Sequence, residues 1–275
     1  MKRTLLATLG AALAVALTST PAAAQLPGPN GPKVYVDQGT ELVAPCLSGA
    51  PADGQWTAFH IAPWPGSTSF SPSGRYLAIS GYNDKAGEKL FIVDVVDCHP
   101  PRPIGAPASS TSWSPDGKQL AVSRNGDVEI ISPQTGALVR NVTNTPDAWD
   151  YSPSWNPRGG RIAFGSTDGV RTVAVTGGAS TLLARNRSYP VYRPDGRRIA
   201  YGGGPRIETV DADTGRNREV MPLTASGGFT YSPDGKYLFL TSISTGECVV
   251  ATTSGRITER LGTWSCSGTT WGRKP

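Results

Sequence analysis

Five copies of one short motif run through this chain of 275 residues, and no other feature limits its fold so tightly. They read Ser69-Phe70-Ser71-Pro72-Ser73-Gly74, Ser112-Trp113-Ser114-Pro115-Asp116-Gly117, Ser154-Trp155-Asn156-Pro157-Arg158-Gly159, Val191-Tyr192-Arg193-Pro194-Asp195-Gly196 and Thr230-Tyr231-Ser232-Pro233-Asp234-Gly235. A basic residue follows each copy, directly or after one more glycine, and then a short apolar run. The prolines are spaced by 43, 42, 37 and 39 residues. A repeat of about 40 residues holding several short strands per unit is the signature of a β-propeller.

In each copy the aromatic residue ends a short inner strand. Proline fixes φ near −65° at the turn, and glycine supplies the positive φ that reverses the chain. Asp116, Asp195 and Asp234 can accept backbone N–H groups inside the turn. A second strand follows at residues 76–80, 119–123, 161–165, 198–202 and 237–241. Its central residue is Ala78, Ala121, Ala163 or Ala200 in four copies and Phe239 in the fifth. A small side chain there suits a strand with another sheet packed closely on it. Third strands are read at residues 89–94, 127–131, 170–175, 206–210 and 246–251, with glycine-containing turns leading to outer strands. Four antiparallel strands per repeat make one blade.

Both chain ends fit the same scheme. Trp271 lies 40 residues after Tyr231, so Thr269-Thr270-Trp271 reads as a sixth inner strand. Residues 33–43 read as the third strand, turn and outer strand of a blade. The fold expected is therefore all-β: a six-bladed β-propeller of four-stranded antiparallel blades, closed by N- and C-terminal strands sharing one blade. Such closure leaves no free sheet edge at the seam. A five-bladed ring with an appended N-terminal ribbon is the alternative, and residues 55–61 have no assigned place.

Residues 1–24 read as a signal peptide: Lys2 and Arg3, an apolar stretch, a polar break, and Ala22-Ala23-Ala24 at the cut. The apolar run is shorter than the roughly 20 residues a membrane span needs. Residues 25–32 are then a linker and 33–275 a single propeller domain, secreted or otherwise extracytoplasmic. Gly (33) and Pro (24) are abundant, as many tight turns require. The net charge of +5 falls to +3 without Lys2 and Arg3. Basic residues are scattered rather than clustered, which excludes a nucleic-acid surface. Cys46, Cys98, Cys248 and Cys266 suggest disulfides in an oxidising compartment. Four cysteines allow three connectivities. The strand reading pairs Cys248 with Cys266 and Cys46 with Cys98; Cys46 with Cys266 is the rival.

The run Ser-Trp-Ser-Pro-Asp-Gly-Lys before an apolar strand resembles the WD40-like (PD40) repeats of TolB-type six-bladed propellers. Residues 113–118 and 231–236 match best, and the resemblance covers residues 33–275. It implies the fold and says little of function, since such repeats also occur in the propeller domains of prolyl-oligopeptidase-type enzymes. TolB itself carries a further N-terminal α/β domain. Only about thirty residues separate the linker from the first full blade here, which does not support a role in the Tol complex.

Few residues in the chain point to chemistry. Only His60 and His99 exist, and neither stands in a catalytic pattern. There is no Gly-x-Ser-x-Gly and no HExxH. Gly202-Gly203-Gly204 lacks the following helix that a phosphate cradle needs, and Asp211-Ala212-Asp213-Thr214-Gly215 reads as a turn rather than a calcium loop. Trp56, Trp64, Trp149 and Trp264 fall outside the repeated aromatic position; they are either aromatics on a face of the ring or caps on blade ends. The residues thus name structural positions only: Phe70, Pro72, Trp113, Pro115, Asp116, Trp155, Pro157, Tyr192, Pro194, Asp195, Tyr231, Pro233, Asp234 and Trp271. No catalytic, cofactor or metal residue is assigned. The expected function is a non-catalytic, monomeric propeller binding a protein or cell-envelope ligand. The alternative is a hydrolase or lyase working from a cation in the central channel, which needs three or four Asp, Glu, Asn or His side chains converging there. Mass spectrometry of the exported protein should find Gln25 at its N-terminus; a retained Met1 would contradict the processing.

Overall fold

The computed structural model describes residues 30–36, 64–83, 87–97, 99, 101–105, 107–145, 147–261 and 267–273. Within them the chain is a β-propeller with five four-stranded antiparallel blades. Ahead of the first blade stands β1 (Asn30–Val36). Blade 1 is built from β2 (Trp64–Phe70), β3 (Tyr76–Asn83), β4 (Gly87–Asp94) and β5 (Arg102–Ile104). Blade 2 takes β6 (Ser110–Trp113), β7 (Leu120–Arg124), β8 (Asp127–Ile131) and β9 (Leu138–Asn141). Blade 3 takes β10 (Tyr151–Trp155), β11 (Arg161–Ser166), β12 (Gly169–Ala174) and β13 (Thr181–Arg185). Blade 4 takes β14 (Ser188–Tyr192), β15 (Arg198–Gly202), β16 (Glu208–Asp211) and β17 (Glu219–Val220). Blade 5 takes β18 (Ala225–Tyr231), β19 (Tyr237–Ser242), β20 (Cys248–Thr252) and β21 (Ile257–Arg260), and β22 (Ser267–Arg273) ends the described chain.

Each motif aromatic ends its inner strand, as the sequence predicts. The following turn is closed by its own side chains. In the second copy the Ser114 hydroxyl donates to Asp116 Oδ1 at 2.6 Å, Lys118 N donates to the same oxygen at 3.1 Å, and Gln119 N donates to Ser114 Oγ at 2.9 Å. Ser232, Asp234, Lys236 and Tyr237 repeat the pattern. The motif glycines Gly74, Gly117, Gly159, Gly196 and Gly235 all have φ between 68° and 79°, a region costly for any side chain with a Cβ.

The motif also joins neighbouring blades. Trp155 N donates to Ser112 Oγ of the preceding blade at 2.9 Å, and Tyr192 N to Ser154 Oγ at 3.0 Å. Trp113 Nε1 donates to Ser69 O at 3.0 Å, and the Ser69 and Thr111 hydroxyls bond at 2.7 Å. The small central residue of each second strand has its explanation here. Ala78, Ala121, Ala163 and Ala200 are fully buried, each in one apolar cluster with the next blade's aromatic: Trp113, Trp155, Tyr192 and Tyr231 respectively. Phe239 stands in the same relation to Trp271.

Two expectations need correction. The described residues hold five four-stranded blades, not six, and β1 and β22 form a separate two-stranded sheet. Moreover, β1 pairs directly with the inner strand, with Lys33 opposite Trp271 and Val34 opposite Thr270, so it is not a third strand. Second and third strands share one buried apolar pattern, and the sequence cannot tell them apart. β22 lies beside both β18 and β2. A Cβ on Gly272 would come 2.8 Å from the Phe70 ring of β2. Residues 38–43 and 55–61, and the cysteines Cys46, Cys98 and Cys266, lie outside the described residues. Cys248 is fully buried beside Trp271, and no described cysteine is a free thiol.

Gly272→Ala should therefore push against Phe70 and destabilise the protein by about 1–3 kcal/mol, lowering Tm by roughly 3–10 °C. Thermal unfolding followed by circular dichroism checks this, and an unchanged Tm would contradict the packing at β22.

Candidate functional site

Among the described residues, the inner strands carry no Asp, Glu or His. Their residues are Ser, Thr, Gly, Pro, Ala, Val and aromatics, with Arg273 the one charge. The strands nearest the axis thus offer no carboxylate or imidazole ligand to a channel cation.

The chemically dense region is instead the face on which the second-to-third-strand hairpins and the starts of the inner strands meet. There the loop from β9 to β10 is pinned by two carboxylates. Asp127, at the start of β8, accepts from Asn141 Nδ2 at 2.7 Å, Thr145 N at 2.9 Å and Thr143 Oγ1 at 3.1 Å. Burial pushes this carboxyl up, but those donors outweigh it and hold it below the ordinary value. Asp150 is 1% exposed and accepts from Ser166 Oγ at 2.6 Å and Thr145 Oγ1 at 2.7 Å. Its backbone N–H donates to Gly126 O at 2.8 Å.

Between these anchors the loop thrusts Trp149 outward. Its backbone N–H donates to Thr167 Oγ1 at 3.1 Å, while its side chain is 68% exposed. This overturns the capping alternative for Trp149. Trp56 and Trp264 lie outside the described residues, as does the Trp64 side chain. Beside Trp149 opens a cleft of about 240 Å³, walled by Thr145, Asp150, Phe164, Thr167, Asp168 and Arg171. Arg171 Nη1 donates to Asp168 Oδ2 at 2.6 Å and its Nε to Ser180 Oγ at 2.9 Å.

Other charged clusters are occupied. Asp94, Asp97 and His99 bring possible metal-ligand atoms within 4.8 Å of one another, a grouping the sequence reading did not expect. Arg75 fills it: its Nε and Nη2 donate to Asp94 Oδ2 at 2.9 and 2.7 Å, and Nη2 also reaches Asp97. Asp94 Oδ1 accepts Val96 N and Asp97 N. A cation would have to displace the guanidinium. The cluster sits at the end of β4, beside the motif turn that leads from β2 to β3. Glu208 is likewise held by Arg187 at 3.1 Å and by Arg218 at 2.5 and 2.8 Å. Burial again pushes the carboxyl up, and the two guanidiniums bring it below its ordinary value. Asp211 accepts from Asp213 N, Thr214 N and Thr214 Oγ1, which makes residues 211–215 a turn, as expected.

The chain's likenesses are structural. No protein-family model matches it, and no curated protein matches it by sequence. Among solved structures, TolB from Acinetobacter baumannii superposes with a TM-score of 0.67 at 18% identity, over 88% of this chain and 66% of that one. A putative TolB from Agrobacterium tumefaciens gives 0.61 at 18% identity, over 80% and 94%. A chain of the nidogen/laminin complex gives 0.65 at 13% identity, over 87% and 97%. At such identities these likenesses establish the propeller fold and nothing finer.

The Asp127 anchor makes a pH prediction. A carboxyl held below its unfolded value contributes stability that is complete above that value, about 3.9, and is lost as pH falls through the lower folded value. Asp127→Asn should lower Tm by several degrees near pH 7, with the gap to wild type closing towards pH 3. A gap that stays constant across this range would contradict the assignment.

Proposed function

We propose that this protein is an extracytoplasmic, non-catalytic propeller that binds a protein partner through the face bearing Trp149. The observation that carries the reading is the combination of an exposed indole and a loop whose buried polar groups are satisfied. Tryptophan is enriched among the residues that dominate protein interfaces, and a pinned loop loses little freedom on binding. The carboxylates that could serve as acid or base are engaged by arginines, hydroxyls and amides, and Asp94, Asp127 and Glu208 sit below their ordinary range, which suits structure rather than proton transfer near neutrality. The likeness to TolB and to the nidogen/laminin chain is consistent with protein binding outside the cytoplasm.

The same reading treats β1 and β22 as a sixth, terminal-shared blade that closes the ring. Its support is the place of β22 between β18 and β2 and its pairing with β1. Chain length agrees. From the end of a second strand to the next inner strand, residues 84–109, 125–150, 167–187, 203–224 and 243–266 span 21 to 26 positions, and residues 37–63 between β1 and β2 number 27. The four cysteines are assigned as before: Cys266 directly precedes β22, whose Trp271 packs on Cys248, favouring a Cys248–Cys266 bond.

The test is affinity isolation from the extracytoplasmic fraction with wild type and Trp149→Ala side by side. A partner retained by wild type and lost by the variant, both melting alike, supports the reading. Identical partner sets would refute it.

A further inference from the structure

We infer that the Trp149 cleft recognises a cationic side chain, an arginine or lysine carried on an extended segment of a partner protein. The inference rests on the binding reading above and adds the chemistry of the ligand. Three independent features of the cleft point the same way.

The first is charge. The cleft is lined by two carboxylates, Asp150 and Asp168, against one guanidinium, Arg171, and a third carboxylate, Asp127, is bonded to the Thr145 of its wall. Asp147 and Asp150 bracket Trp149 in sequence, and Asp147 is exposed. Arg171 is already neutralised by Asp168 at 2.6 Å. The nearby Arg124 is paired with Glu129, so it adds no free positive charge. This acidic spot lies on a chain whose net charge is +5, so it is a local reversal of sign and would steer a basic group to one place.

The second is the indole. Trp149 stands at the rim, with its backbone tied to Thr167, a residue of the cleft wall. A tryptophan face is the best aromatic partner for a guanidinium or ammonium, and Asp147 and Asp150 stand within two positions of it in sequence.

The third is an unmet acceptor. Asp168 gives one oxygen to Arg171, and its other oxygen, Oδ1, has no hydrogen-bond partner. An acceptor left this way is costly, and a donor entering the cleft would relieve it. The volume of about 240 Å³ suits one long side chain rather than a folded ligand.

The probe is a fluorescein-labelled peptide, Gly-Arg-Gly-Arg-Gly, with Gly-Glu-Gly-Glu-Gly as its opposite, each titrated against the full-length exported protein by fluorescence anisotropy. The arginine peptide should bind saturably and the glutamate peptide should not. Trp149→Ala should weaken binding at least about tenfold, Trp149→Phe should restore most of it, and Asp147→Asn should weaken it by roughly threefold. All three variants should melt like wild type, since neither side chain is buried. Raising the salt from about 0.05 M to about 0.5 M should weaken binding further. No saturation by the arginine peptide up to about 1 mM, or equal binding to wild type and Trp149→Ala, overturns the inference. Glutamate-peptide binding that depends on Trp149 would leave the binding face standing and refute only the charge assignment.

Discussion

Everything in this molecule depends on how one blade is locked to the next. The lock is a serine one residue before the motif aromatic, whose hydroxyl accepts a backbone N–H from the following inner strand, as Ser112 does for Trp155 and Ser154 for Tyr192. It fixes the register of neighbouring inner strands. The aromatic then lands over the alanine of the preceding blade's second strand, where a larger side chain would hold the sheets apart. The proline, aspartate and glycine that follow close the turn so that the second strand starts in register. All six motif positions therefore serve inter-blade bonding, packing or turn closure, which explains why a repeat so regular says nothing about a ligand.

The fourth copy shows where the lock is incomplete. Val191 stands where serine accepts the inter-blade bond in the second and third copies, and Arg193 replaces the turn-closing serine or asparagine. The junction of blades 4 and 5 relies more on side-chain packing, with Tyr231, Phe229 and Leu223 buried against Ala200 and Ile207. A cleft of about 180 Å³ opens there beside Arg193 and Arg198. The ring is thus uneven around its circumference, and its chemistry is uneven as well. Hydroxyls and aromatics line the inner strands, while charge gathers on the strands outside them and in the loops.

Much of this was legible in the sequence. The repeat, the ends of the inner strands, the meaning of the alanines and the turn at Asp211 were all readable, because each is written within a few residues. The place of β1 beside β22, rather than as the third strand of a blade, was not, since second and third strands share the same buried apolar pattern. The Trp149 site was hidden for a different reason. Its supports, Asp127, Ser166 and Thr167, lie 22, 17 and 18 residues away in sequence, and only the antiparallel return of neighbouring blades brings them to one loop. Asp94, Asp97 and His99 are close in sequence, but the arginine that fills their grouping comes from 19 positions upstream of Asp94, across the β3–β4 pair. Side chains that meet across blades leave no mark in local spacing.

Binding through Trp149 requires that a rigid loop present it. Hydrogen exchange followed by mass spectrometry reads this directly. The amides of Thr145, Trp149 and Asp150 donate to Asp127, Thr167 and Gly126. They should exchange about as slowly as amides in the neighbouring strands β8 and β11, and Asp127→Asn should speed the exchange of Thr145. If these amides exchange as fast as a freely exposed loop, Trp149 is not held in place and the central claim fails.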